Sequence, residues 1–303
     1  MKRSKTNVRR GGGFTLVEVL ASMAVLVVLV LALTRMFVTA TNITRSGTSS
    51  LMRNSTGETA METLLQDAEG MVVNDRLACY VRADITDEGT DGFGFDDVWF
   101  ISTSGDQDDD MPYEYFHIYV TNTLSTTPQG APYLRFDLIK DRMIFAVGDQ
   151  RGMYALDPDQ TQWWNIAQTF AATAFGPWDR QVLADHLVRF DIYCTGWDGT
   201  GWMGGYSGIQ EFDSTRGPNG DARYKNIPPA AFDIYLQVTS PDVAMESGMA
   251  LVDGVPAATQ RKAREMMIRD SSSLFGRASP ITGAARYHSV TVHGTNNTAY
   301  YTD

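Results

Sequence analysis

The stretch GGGFTLVEVLASMAVLVVLVLALT, residues 11–34, decides how the rest of the chain is read. From residue 14 to residue 34 it is apolar except for Thr15, Glu18, Ser22 and Thr34, and it ends directly before Arg35. As a helix, these residues rise about 31 Å, which matches the hydrocarbon core of a bilayer. The preceding residues 1–13, MKRSKTNVRRGGG, hold five cations: Lys2, Arg3, Lys5, Arg9 and Arg10. That bias predicts a cytoplasmic leader and a body on the far side of the membrane.

Glu18 discriminates among the readings of this segment. A secretory signal peptide needs a shorter apolar core and a small-x-small cleavage site, and Val38-Thr39-Ala40 is a poor one. Twin-arginine export is suggested by Arg9-Arg10, but Gly-Gly-Gly-Phe follows the pair. A plain anchor explains the length and leaves a carboxylate in the apolar layer without a partner. The nearest cations in sequence, Arg10 and Arg35, lie eight residues back and seventeen ahead. Cleavage after Gly13 would create a closer one, the α-amine of Phe14. That amine would lie about a turn from Glu18 in its own chain, or alongside Glu18 of a neighbour shifted along a filament.

Gly13-Phe14-Thr15-Leu16-Val17-Glu18, after a basic leader and before an apolar run, resembles the processing motif of type IV prepilins and type II secretion pseudopilins. The resemblance implies that a membrane prepilin peptidase cuts after Gly13 and methylates Phe14. Glu18 becomes the fifth residue of the mature chain and the assembly residue. It further implies a non-enzymatic subunit that crosses the bacterial inner membrane once, with its N-terminus cytoplasmic and its body periplasmic. Its partners would be the peptidase, membrane lipid and other pilin or pseudopilin subunits, with which it forms a filament.

Composition narrows the alternatives. The net charge is −11, and without residues 1–13 it is −16, so the body is a poor partner for nucleic acid. No P-loop occurs, Gly199-Thr200-Gly201-Trp202 lacks the context of a dinucleotide fingerprint, and Gly205-Tyr206-Ser207-Gly208 is one residue short of a nucleophile elbow. His117, His186, His288 and His293 are scattered, so no catalytic set or organic cofactor site is expected. Residues 83–134 carry eleven acidic side chains and no Lys or Arg, densest at 84–91 and 106–110. These read as solvated loops, with calcium as the alternative because clustered Asp and Gly supply oxygen ligands. Trp163-Trp164, Trp197 and Trp202 read as core aromatics or as a contact surface. Cys79 and Cys194 allow one long-range disulfide or two buried thiols.

No proline occurs before Pro112, so a single helix is expected from residue 14 toward about 75. Met61, Leu64, Leu65, Ala68 and Val72 repeat as one helical face. The Ser/Thr-rich stretch 39–59, with Gly47 and Gly57, is where that helix should bend or melt. Strands are expected at 98–102, 115–121, 133–139, 143–147, 186–193, 232–238 and 287–292, and a helix at 257–269. The fold class is α+β: a long N-terminal helix packed on an antiparallel β body. The divisions are a leader at 1–13, a transmembrane part at 14–34, an outer half-helix at 35–78 and a body at 79–303. The order of residues 182–193, a Gly/Trp-rich loop from 196 and a proline-led strand at 227–236 is similar to the late sheet of J-type minor pseudopilins. That similarity implies a minor subunit of a type II secretion filament. The alternatives are a minor type IV pilin for adhesion, motility or DNA uptake, and an anchored enzyme or binding protein.

Overall fold

The computed structural model describes residues 15–71, 73, 79–82, 95–103, 113–145, 179–197, 199, 201–203, 211–252, 255–280 and 286–290. The chain divides into two units, Met1–Thr48 and Ser49–Asp303. Helix α1, Leu16–Glu69, begins in the first and ends in the second. In the first unit every described residue is exposed, and the apolar side chains of 16–38 lie bare. The Ser/Thr stretch is helical throughout rather than melted. Three of its hydroxyls fold back onto the preceding turn: Thr41 Oγ1 donates to Phe37 O (2.8 Å), Thr44 to Ala40 O (3.0 Å) and Thr48 to Thr44 O (2.9 Å). Such bonds satisfy each hydroxyl without a water or a neighbour.

In the second unit α1 acquires a buried face of Arg53, Gly57, Ala60, Met61, Leu64, Leu65 and Ala68. This includes the expected stripe up to Ala68; Val72 lies outside the described residues. The helix stops at Glu69, short of the expected 75–78. Gly70 sits against the Ser102 hydroxyl, where no side chain fits, and Met71 pairs with Ser102 as an isolated bridge.

Among the described residues eleven strands follow: β1 Cys79–Arg82, β2 Asp97–Thr103, β3 Tyr113–Thr126, β4 Pro132–Phe145, β5 Asp179–Ala184, β6 Leu187–Thr195, β7 Gly201–Met203, β8 Glu211–Asp213, β9 Ala231–Val238, β10 Ser272–Ala278 and β11 Arg286–Val290. Helices α2, Pro241–Met249, and α3, Ala257–Asp270, lie between β9 and β10. One sheet has the order β5-β4-β3-β2-β1-β8 and the other β11-β10-β9-β6-β7, and adjacent strands within each are antiparallel. This is the α+β arrangement of a long helix on an antiparallel body.

The sheets share one core. Met61, Leu64 and Leu65 of α1 meet Val81, Phe100 and Phe116 from the first sheet and Phe190, Phe232, Leu236 and Leu274 from the second. Each fully buried Leu or Met contributes about 1.5–3 kcal/mol by leaving water. Gly276 of β10 permits the close approach of α1: a Cβ there would lie 2.7 Å from Met61 Sδ and 3.0 Å from both Leu65 methyls. Cys79 and Cys194 are free thiols, fully buried in this core. Asp96 joins the sheets, its N–H donating to Phe190 O (2.9 Å) and its carboxylate accepting from Ile192 N–H (2.7 Å).

Two strand expectations need correction. Residues 133–139 and 143–147 are not separate strands, because β4 runs unbroken to Phe145. The charged run Lys140-Asp141-Arg142 interrupts the apolar pattern but not the strand, because each charge has a partner. Lys140 pairs with Asp67 of α1 (2.5 Å), Asp141 with Arg180 (2.8 Å) and Arg142 with Glu114. Residues 146–147 lie outside the described residues. The expected strand at 186–193 begins instead at Leu187, because His186 has φ +58° and turns the chain from β5 in one sheet into β6 in the other. The strand expected at 287–292 is described as β11, Arg286–Val290, paired with β10.

Where α1 enters the second unit lies a buried polar hub. Arg53 Nη1 donates to Asp270 O at the end of α3 and lies 3.7 Å from Asp270 Oδ2. The same carboxylate oxygen accepts from Thr239 Oγ1 (3.0 Å) and from the N–H of Ser240 (2.9 Å), the residue before α2. Ser272 Oγ donates to Asn54 Oδ1 (3.2 Å), and Gln237 donates to Ser271 Oγ. One arginine of α1 thereby touches the α3 end through a residue that also caps the start of α2.

On the first sheet, His117 lies between Trp99 and Tyr119, with ring centroids 4.5 and 4.3 Å away. Its Nε2 is buried and has no hydrogen-bond partner among the described residues. Burial pushes the imidazole from 6.5 down to about 4; Asp141 opposes the shift, and Arg82 and Arg180 add to it. The folded state therefore refuses a proton that the unfolded chain accepts, so this contribution is complete above pH 6.5 and is lost as the pH falls toward 4. We expect a loss of about 3 kcal/mol across that window from this residue. Chemical unfolding in detergent at about pH 7 and about pH 4.5 should show a smaller loss for His117→Phe; equal losses refute the assignment.

Candidate assembly site at the start of the long helix

Two polar side chains stand at the start of α1, Thr15 just before it and Glu18 in its first turn, and they are bonded to each other. Thr15 N–H donates to Glu18 Oε2 (2.9 Å), and so does the Thr15 hydroxyl (3.1 Å). Glu18 N–H donates in return to Thr15 Oγ1 (3.3 Å). This reciprocal ring is a capping box, with Thr15 at the cap and Glu18 three residues on. It supplies first-turn N–H groups with acceptors that the helix itself cannot provide. The negative carboxylate also lies at the positive end of the helix dipole.

The remaining hydroxyls of the apolar run are satisfied in the same local way. Ser22 Oγ donates to Val19 O (2.9 Å) and Thr34 Oγ1 to Val30 O (2.8 Å). From Leu16 to Thr34, Glu18 is the sole ionisable residue. α1 is long and apolar enough to cross a membrane. A helix with its backbone and hydroxyl groups satisfied internally suits a medium without water.

Of the expected site residues, Glu18 lies in the first turn of α1, while Gly13 and Phe14 lie outside the described residues. The partner of Glu18 seen here, Thr15, was missed from the sequence. The signal was present, since Thr15-Leu16-Val17-Glu18 has the T-x-x-E spacing of a capping box.

Residues 8–34 match the family described as the prokaryotic N-terminal methylation motif. The chain carries a methylation motif. The match covers the end of the basic leader, Gly13, Phe14, the Thr15–Glu18 box and the apolar run. Together with the long apolar helix, the motif is consistent with a type IV prepilin-like precursor held in a membrane by that helix. No curated protein and no solved structure matches the chain.

The other residues singled out in the sequence of this methylation-motif chain sit as follows where they are described. Trp202 is buried against Phe212 and Tyr224, and Trp197 donates its indole N–H to Pro228 O (3.1 Å). His186 sits at the corner before β6, and His288 pairs through its backbone with Phe275. His293, Trp163, Trp164 and the acidic stretches 84–91 and 106–110 lie outside the described residues. Among the described residues no group of three or more His, Cys, Asp or Glu is placed to hold a metal ion.

Proposed function

We propose that this protein is a minor, pseudopilin-like structural subunit of a type II secretion-type filament. The observation that carries the reading is the methylation-motif match at 8–34 on a helix whose sole ionisable residue before Arg35 is Glu18. In this reading the prepilin peptidase removes residues 1–13 and methylates the amine of Phe14, which stays positive after methylation. The chain leaves the inner membrane by docking α1 among other subunits, and Glu18 pairs with a Phe14 amine in the apolar filament core. The large β body that follows the helix fits a minor or capping position better than one repeated along a filament. The work is assembly, not catalysis.

Mass spectrometry of the mature N-terminus tests this directly. The expected result is a chain that begins at Phe14 and carries one methyl group. Recovery of Met1, or of a cut near Ala40, rejects the reading. Co-purification with secretion subunits supports the type II role, whereas co-purification with pilus subunits replaces it with a pilus role.

A further inference from the structure

β3 outruns the strand beside it. β2 pairs with β3 only as far as Val98 opposite Ile118, because the chain before β2 is tied to the other sheet: Phe95 bridges Phe190, and Asp96 N–H donates to Phe190 O. From there β3 runs on to Thr126 with β4 as its single strand neighbour among the described residues. The far side of β4 along this arm is closed, since Gly248 of α2 lies against Leu134 O. Pro132, Arg135 and Asp137 also break it up. The β3 edge, Val120-Thr121-Asn122-Thr123-Leu124-Ser125-Thr126, has neither a charge nor a proline. Asn122, Leu124 and Thr126 are exposed, Leu124 by 67%, and Thr121, Thr123 and Ser125 between them are half-buried.

Edges are normally blunted by charge, proline, bulges or short length, because their unpaired N–H and C=O groups accept another strand. The terminal strands of both sheets obey that rule. β5 carries Asp179 and Arg180 and a register shift, β7 and β8 have three residues each, and β11 begins with Arg286. The β3 arm does not. We propose that its edge, residues 120–126, docks the same edge of a second copy of this chain, paired antiparallel about Thr123. The pattern of the edge selects that occupant. A two-fold axis perpendicular to the sheet brings like face against like face. Thr123 then faces Thr123 and Thr121 faces Ser125, while the two bare Leu124 side chains meet on the diagonal, within each other's reach. A slip of one residue would bring opposite faces together and leave both leucines uncovered. No charge stands on this seam, although the chain as a whole is acidic. The pairing depends on neither the cut after Gly13 nor Glu18.

The full chain in detergent provides the test. Cys79 and Cys194 are fully buried, so the parent sets the background for cross-linking. Under mild oxidation Thr123→Cys should form a covalent dimer in most chains. Arg223→Cys, at a side chain 80% exposed and outside the arm, should do so in few. Leu124→Lys should weaken dimerisation in sedimentation equilibrium on the order of tenfold, because each copy brings a charge to the seam. Its urea midpoint should match the parent, since residue 124 is exposed. The proposal is overturned if the Thr123→Cys dimer is no more abundant than the Arg223→Cys dimer. It is also overturned if Leu124→Lys leaves self-association unchanged, because copies then meet through another surface such as the bare apolar run of α1. A monomeric parent whose Leu124→Lys variant loses a different subunit assigns the edge to that subunit and rejects the second copy.

Discussion

Replacing Lys140 by alanine should cost about 3–5 kcal/mol of stability, the range for breaking a buried ion pair from one side. Lys140 Nζ lies 2.5 Å from Asp67 Oδ2, with 9% of the lysine side chain and 12% of the aspartate exposed. The ammonium also sits 4.3 Å from the centre of the Phe116 ring. Burial already pushes the Asp67 carboxyl up, and Lys140 is the main influence holding it down; Glu114 nearby pushes it further up. Without Lys140 the carboxylate stands against the core face of the first sheet with little compensation. It should then take up a proton, so the variant loses stability as the pH rises through the elevated Asp67 pKa and regains part of it in acid. The double variant Asp67→Leu/Lys140→Met should be as stable as the parent or more so, because an apolar pair avoids both desolvation costs. Urea unfolding of the full chain in detergent measures all three. If the single variant is as stable as the parent, the pair contributes nothing.

The largest functional effect is expected at Glu18. Glu18→Ala should insert and be cut, yet its incorporation into filaments should fall on the order of a hundredfold, because an amine in the apolar layer is left without its counter-charge. The capping box makes a sharper comparison available. Glu18→Gln keeps an oxygen acceptor for Thr15 and so preserves the helix start, but it carries no charge. If charge neutralisation is what assembly requires, Gln should fail nearly as badly as Ala. If the cap alone matters, Gln should assemble like the parent, and the amine pairing falls. The measurement is the fraction of mature subunit recovered in filaments, normalised to the mature N-terminus found in the membrane.

The features readable from sequence were those with a local cause. The apolar run follows from its composition, and the buried stripe from Met61 to Ala68 from the spacing of apolar side chains along one face. The Thr15–Glu18 ring has an equally local signature and went unread because charge was sought where a hydroxyl served. The misreadings had distant causes. Lys140-Asp141-Arg142 looks like a strand end until Asp67, Arg180 and Glu114 are brought beside it from 73, 39 and 28 residues away. The corner at His186 requires a left-handed backbone that its sequence does not advertise, since Gly and Asn are the usual residues there. Helix α2 went unrecognised because nine residues containing a proline and a glycine resemble a loop. Its place is set by packing, with Gly248 lying against Tyr133 and Leu134 of β4.

The hub around Arg53 has a mechanical consequence. If the chain assembles into a filament as proposed, axial load travelling along α1 reaches the body at its first buried residue, Arg53. There Asp270 spreads the load at once to the end of α3, the start of α2 and, through neighbouring hydroxyls and amides, the β9 and β10 ends. Several bonds are stretched side by side, instead of one strand peeling from an edge bond by bond. A joint loaded in parallel yields at a higher force than one that unzips, so rupture should begin in the helix before Arg53 and leave the β body folded.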